Sequence, residues 1–218
     1  MFLKSIKEAW TSELGQKGFS YQIILSILSV VIGLFMFTRF LAFVEDNPGI
    51  VLPDPILALF NPVDISWFTF IVMYASVVIA IVSLLPAPKS LMLGLQSYTL
   101  MLAIRTVAMY SIPLEAPASI LPLIDPMVSE VGVGKLMTKD LFFSGHTATI
   151  FIMYLVSEKK SFRLFFLFST IIIGAAVLIQ HVHYTVDVVA APFFAYGVFR
   201  IVFLLNRKYN KHFKEYMK

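Results

Sequence analysis

Three histidines and one aspartate carry the residue types and spacings that could do chemistry. His146 stands in SGHT, residues 144–147, and His181 and His183 open HVHYTVDVV, residues 181–189. His183 and Asp187 are four positions apart, so a helix that begins near His183 projects both from one face of its first turn. A buried carboxylate beside an imidazole fixes its tautomer and stabilises the imidazolium. The opposite ring nitrogen is then competent as a nucleophile or base. The plain alternative is an interfacial His capped by Asp for structure. Ser144 and Gly145 precede an apolar run, and backbone N–H groups at a helix start bind phosphate oxygens. A neighbouring His146 could protonate a leaving oxygen. Here too the alternative is an N-cap followed by an interfacial His. Together with Arg105 these residues make a set for phosphoryl transfer, which needs in-line attack, a proton donor and positive charge on the transferred oxygens. Which His attacks stays open at this level. Zinc is the main competitor, because three His and an Asp are a possible donor set. His181 and His183 are two apart, however, and point to different faces of a helix. No carboxylate-rich cluster favours Mg. The expectation is metal-free catalysis with no cofactor.

These residues need elements to position them, and composition says of what kind. The 218 residues are 59% apolar and 14% charged, with no Cys, and mean hydropathy is +0.85. A soluble domain is about a quarter charged, and a disordered chain needs low hydrophobicity, so neither fits. Zero Cys excludes disulfides, thiolate zinc sites and Cys nucleophiles. Six stretches approach the roughly 20 apolar residues of a membrane span: 21–44, 66–85, 91–112, 142–157, 163–181 and 184–205. The fourth is short, and a tight turn must join the last two. The expected fold is all-α: a polytopic bundle of six transmembrane helices over 21–205, preceded by an amphipathic interfacial segment 1–20 and followed by a basic tail 206–218. Leu3, Ile6, Trp10 and Leu14 give the first segment its helical periodicity; a frayed polar terminus is the alternative.

The distribution of basic residues sets an orientation. Lys4, Lys7, Lys17, Lys89, Lys159, Lys160, Arg163, Arg207, Lys208, Lys211, Lys214 and Lys218 fall in alternate segments, whereas the intervening loops hold only Lys135 and Lys139. Lys/Arg excess marks the cytoplasmic side, so both termini are expected there. The net charge of +4 then reads as a topology signal and gives no evidence of a nucleic-acid partner. Both histidine junctions fall on the non-cytoplasmic side. Arg39, Arg105 and Arg200 lie within spans, where a charge is a functional candidate by default. Arg39 and Arg200 are near span ends and can snorkel. Arg105 lies deeper; it either meets phosphate or pairs with Asp54 or Asp187. His212 falls in the tail and is expected to be solvated.

SGHT followed by HVHYTVDVV resembles the sphingomyelin synthase family, within the type 2 phosphatidic acid phosphatase superfamily of six-span membrane enzymes. VLPDP, 51–55, and IRTVAMYSIPLEAP, 104–117, resemble two further motifs of that family, in family order. The resemblance implies that His183 is the nucleophile and forms a phosphohistidine, that Asp187 orients it, and that His146 protonates the leaving lipid hydroxyl and then activates the acceptor. Ser144 and Gly145 would hold the phosphate. Asp54, Tyr184, Asp140 and Arg105 complete the expected substrate side, Asp140 as support for His146 or as a helix cap, and Tyr184 toward a headgroup or as an interfacial anchor. His181 matches a family position without an assigned role. The wider superfamily has an Arg six residues before its nucleophile, where this chain has Val177, and a Lys-x6-Arg-Pro motif that this chain lacks. Cys-Gly-Asp often precedes SGHT; here Thr138-Lys139-Asp140 keeps only the Asp.

The expected activity is transfer of a phospho-headgroup from a glycerophospholipid to a lipid hydroxyl such as that of ceramide or diacylglycerol. Hydrolysis by the same residues, as in a lipid phosphatase or phospholipase C-type enzyme, is the first alternative. A non-catalytic lipid-binding or transport protein is the second. A small Cys-free chain leans toward a bacterial inner membrane, otherwise a secretory-pathway or plasma membrane.

Overall fold

A computed structural model describes residues 2–123 and 137–206. Lys135, His212 and the basic residues of 207–218 lie outside the described residues. Among the described residues there are seven α-helices, one 3-10 turn (Leu57–Leu59) and no strand beyond an isolated parallel bridge between Ile50 and Leu114. The helices are α1 (Phe2–Leu14), α2 (Phe19–Asp46), α3 (Ser66–Leu84), α4 (Pro88–Ser111), α5 (Gly145–Val156), α6 (Lys160–Ile179) and α7 (Thr185–Leu205). Five of them, α2, α3, α4, α6 and α7, are long and apolar enough to cross a membrane by length and composition. They correspond to five of the six expected stretches. The third begins earlier than expected because Pro88 opens α4, where its missing N–H costs nothing and its fixed φ suits a helix start.

The difference lies in α5. Its 12 residues span about 18 Å, against a hydrocarbon core about 30 Å thick. The helix cannot extend back through residues 142–144, because Ser144 adopts cap geometry (φ −53°, ψ 112°) and accepts from the Thr147 amide. The chain approaches α5 as irregular backbone with Leu141, Phe143 and Ser144 buried. Irregular backbone at membrane depth is tolerated where protein surrounds it.

Packing puts this short helix at the centre. It lies against α4, α6 and α7, while α2 packs on α4 and α3 on α6. Met101, Phe143, Ala148, Ile152, Ala195 and Phe199 share the main buried cluster. Small polar residues tie the long helices together: Gln96 donates to Ser26 Oγ at 2.9 Å, Asn206 to Gln96 Oε1 at 2.6 Å, and Ser29 meets Thr99 at 3.2 Å. Such bonds have few competitors in an apolar medium. Ile24, Val31 and Phe35 of α2 face outward, as a lipid-facing helix allows.

The ends of the bundle differ. At one, Trp10 of α1 donates to the Leu85 carbonyl at 2.8 Å, Lys89 pairs with Glu13 at 2.9 Å, and Ser90 donates to Glu158 at 2.6 Å. The N-terminal helix, the α3–α4 turn and the α5–α6 turn therefore meet, bringing most of the described basic residues with them. At the other end lie the 47–65 and 112–123 loops, residues 137–144 and the α6–α7 turn. Ile50 donates to the Pro113 carbonyl, Val63 to Ile179 and Leu121 to Gln180. Both histidine junctions are at this second end.

Candidate active site

The α6–α7 turn is built to aim one histidine inward. Gln180 closes α6, and its buried side chain donates to Ser66 Oγ at 2.9 Å. His181 takes a left-handed conformation, φ 55°, so the chain reverses within a few residues. Tyr184 is the N-cap of α7. Asp187, three residues on, accepts from the Tyr184 amide at 3.0 Å, which is half of a capping box. His183 thus stands just ahead of the helix, not in its first turn. Its Nδ1 lies 3.5 Å from Asp187 Oδ2, and both side chains are sealed from solvent at 1% and 0% exposure. That separation is slightly longer than a hydrogen bond.

Asp54 holds this turn from outside. Its carboxylate accepts from the Thr185 amide at 2.6 Å and hydroxyl at 3.1 Å, and from the Ile56 and Leu57 amides. Burial pushes this carboxyl up, but the hydrogen bonds from Thr185, Leu57 and Ile56 outweigh it and hold it below its ordinary value. Tyr184 donates to the Glu115 carbonyl at 2.9 Å and accepts from the Leu52 amide at 3.2 Å. Asp54 and Tyr184 therefore clamp the start of α7 to the 47–65 and 112–123 loops.

The second histidine arrives on α5. Ser144 Oγ accepts from the Thr147 amide at 3.4 Å and meets Thr147 Oγ1 at 3.1 Å. The Ser144 amide donates to the Asp187 backbone carbonyl at 3.0 Å. One main-chain bond thus joins the two motifs, although 43 positions separate them in the chain (187 minus 144). The His146 and His183 rings lie 6.2 Å apart, inclined at 68°. Both can reach a single phosphoryl group between them. His146 is only half-buried, so it is the more open of the pair.

Arg105 is almost wholly buried. Its partner is neither Asp54 nor Asp187 but Asp140, with Nη2 to Oδ1 at 2.7 Å. Nε donates to the Phe143 carbonyl at 2.8 Å, and the guanidinium lies over the Phe37 and Phe143 rings at 5.1 and 5.9 Å. Phe143 stacks on Phe194 with centroids 4.4 Å apart, so its ring faces are taken up by protein.

His181 points away from the pair. Its Nδ1 meets Ser119 Oγ, and Phe60 packs edge-on at 5.1 Å. Burial lowers its pKa, partly offset by the Asp54 charge. Among the described residues no group of three His, Cys, Asp or Glu side chains is arranged to hold a metal. Arg39 lies over the Phe35 ring at 5.4 Å, toward the C-terminal end of α2.

Sequence reasoning did not single out Glu45 and Glu115. Glu45 accepts from the Thr138 amide and hydroxyl and from the Lys139 amide, and Glu115 accepts from Lys139 Nζ and the Gly49 amide. They fasten the segment leading into α5. Glu45 stands with Asp46 at the end of an apolar run and Glu115 follows another, which was the available signal.

The geometry delimits one compact region, and the comparison with known families falls on it. Residues 138–204 match the family model described as PAP2 superfamily C-terminal. The match contains Asp140, Ser144, Gly145, His146, His183, Tyr184 and Asp187. It supports the type 2 phosphatidic acid phosphatase superfamily and, with it, chemistry of the lipid phosphatase or phosphotransferase type. With five apolar helices of spanning length, it also supports an integral, multi-pass membrane protein. No curated protein matches the chain.

Proposed function

We propose that the chain is a membrane lipid phosphotransferase of the sphingomyelin synthase type. It takes a phospho-headgroup from a glycerophospholipid onto His183 and passes it to the hydroxyl of a second lipid, such as ceramide or diacylglycerol. The observation that carries this reading is the placement of the His146 and His183 rings 6.2 Å apart and edge-on, with Asp187 behind His183. His183 attacks phosphorus with its Nε2 while Asp187 stabilises the imidazolium. The P–O bond to the donor breaks, and His146 protonates the departing diacylglycerol oxygen. His146, now neutral, accepts the proton of the acceptor hydroxyl as that oxygen attacks the phosphohistidine. The N–P bond breaks and both histidines return to their starting forms. Ser144 and the α5 N-terminus offer hydrogen bonds and a positive dipole end to the phosphoryl oxygens.

Six membrane passages follow if the irregular segment before α5 completes the fourth. Arg105 precedes the end of α4, Ser111, by six residues (111 minus 105), which is about 9 Å along a helix. The α5 start that Arg105 touches therefore lies below the outer end of α4. A site sunk to that depth can receive lipids sideways from the bilayer and exclude bulk water, which favours transfer over hydrolysis. With the basic end of the bundle cytoplasmic, both termini face the cytoplasm and the histidines face outward.

The test incubates purified protein with headgroup-labelled phospholipid, with and without ceramide. Label moved to ceramide, with little release in its absence, supports the transferase. Release of phosphorylated headgroup to water at equal rate without any acceptor lipid supports the hydrolase reading. Absence of turnover on every phospholipid and lipid phosphate tried would overturn the enzyme reading.

A further inference from the structure

The buried cation at the site does its work on the protein. A Cβ built on Gly145 would lie 2.4 Å from Arg105 Nη1 and 2.8 Å from Cζ. The guanidinium is therefore in contact with the Gly145 main chain. The same group binds the Phe143 carbonyl through Nε and Asp140 through Nη2. Its three faces thus touch residues 140, 143 and 145, the turn that delivers the α5 N-terminus. The Phe37 and Phe143 rings lie 5.1 and 5.9 Å from it, and only 3% of the side chain is exposed, against 29% for Asp140.

We propose that Arg105 is a positioning residue: it fixes the Phe143–Gly145 turn so that Ser144 and His146 face His183, and Gly145 is required as the residue that lets the guanidinium in. The physical reason is geometric. A planar fork can bind a carbonyl and a carboxylate at once while packing against a glycine, whereas an ammonium is a point charge on a flexible stem. The peptide between Phe143 and Ser144 is held from both sides, by Arg105 at the Phe143 carbonyl and by the Asp187 carbonyl at the Ser144 amide. Misplacing a catalytic group by about 1 Å can cost about 10²-fold in rate. Asp140 serves as the counter-ion that orients the fork. Charge alone is not what the site asks of Arg105.

The inference rests on the proposed activity only for its kinetic arm, so two readouts are used. In the kinetic arm, Arg105→Lys and Arg105→Ala both lower kcat by about 10²-fold with donor KM changed by less than about twofold. Guanidinium ion at non-denaturing concentration restores Arg105→Ala, and methylammonium does not. Gly145→Ala lowers kcat similarly and is not restored by guanidinium, because Arg105 still occupies the space. In the second arm, amide hydrogen exchange over residues 144–148 rises in Arg105→Ala and returns toward the unaltered rate with guanidinium. Near-normal kcat in Arg105→Lys, equal rescue by methylammonium, or unchanged exchange in Arg105→Ala overturns the proposal. If the unaltered protein turns over no lipid, the activity reading fails, and the exchange arm still decides the role of Arg105.

Discussion

Asp54 accepts both the amide and the hydroxyl of Thr185, 131 positions away, at 2.6 and 3.1 Å. Thr185 follows His183 by two residues, so the 47–65 loop helps set where the His183 imidazole sits. Asp54→Ala removes an anionic acceptor from the first amide of α7, a loss of about 1 kcal/mol for a capping-type hydrogen bond. Activity should fall with it, because His183 loses a fixed starting point. Asp54→Asn, which keeps an acceptor, should retain more of both. Thermal unfolding in detergent together with kcat checks this; an Asp54→Ala protein of normal stability and rate would show the clamp to be idle.

The same carboxylate makes stability depend on acidity. Its folded pKa is held below the ordinary value, so its contribution is present above about pH 3.9 and is lost as pH falls through the depressed folded value. The Tm of the unaltered protein should therefore drop more steeply in that acid window than that of Asp54→Asn. Parallel curves for the two proteins would count against the hydrogen bonds.

His181 gives a separate window at higher pH. Burial lowers its pKa, so the folded state favours the neutral ring. Stability from this group is present above the unfolded value, about 6.5, and declines as pH falls from there toward the folded pKa. His181→Asn tolerates φ > 0, so it should fold and flatten Tm between about pH 7.5 and 5.5. His181→Val should lose more stability at every pH, since a β-branched residue is strained at φ 55°. Equal Tm for Asn and Val would show that the backbone there relaxes.

Much of this arrangement was legible in the sequence, for reasons that differ by residue. Apolar run length located the five long helices, because a lipid-facing helix must be apolar over most of its length. The four-residue spacing of His183 and Asp187 and the Ser-Gly before His146 are local signals, and local geometry keeps them close to their helix starts. The shortness of α5 was visible, but not the buried turn that replaces its missing length, because that turn is held by Arg105 and Asp187 from elsewhere in the chain. The partner of Arg105 was unreadable for the same reason: Asp140, Asp54 and Asp187 are equivalent in composition, and only tertiary packing chooses among them. Asp54 and Tyr184 were expected on the substrate side; in the structure Asp54 accepts from Thr185 and from the Ile56 and Leu57 amides, and Tyr184 bonds the Leu52 and Glu115 main chain.

Topology can be checked without background, since the chain has no Cys. Ser119 and Lys159 are both exposed and lie at opposite ends of the bundle. In sealed vesicles or intact cells, Ser119→Cys should react with an impermeant maleimide from outside, and Lys159→Cys only after permeabilisation. The reverse pattern would move the histidines to the cytoplasmic face.

The division of labour between the two histidines gives the sharpest chemical prediction. With phosphorus-labelled donor and no acceptor, the unaltered protein should carry acid-labile, base-stable label on His183. His183→Ala should carry none and lose at least about 10³-fold in kcat, since no covalent route remains and neighbouring acid–base catalysis is worth about 10²–10⁴. His146→Ala should load slowly with ordinary donors, because the diacylglycerol oxygen leaves unprotonated. A donor whose leaving group needs no proton, such as a nitrophenyl phosphodiester, should restore loading in His146→Ala but not in His183→Ala. Turnover from the loaded form should stay slow in His146→Ala, for the acceptor hydroxyl still lacks its base. Label found on His146, or nitrophenyl rescue of His183→Ala, would reverse the assignment while leaving the paired-imidazole site intact.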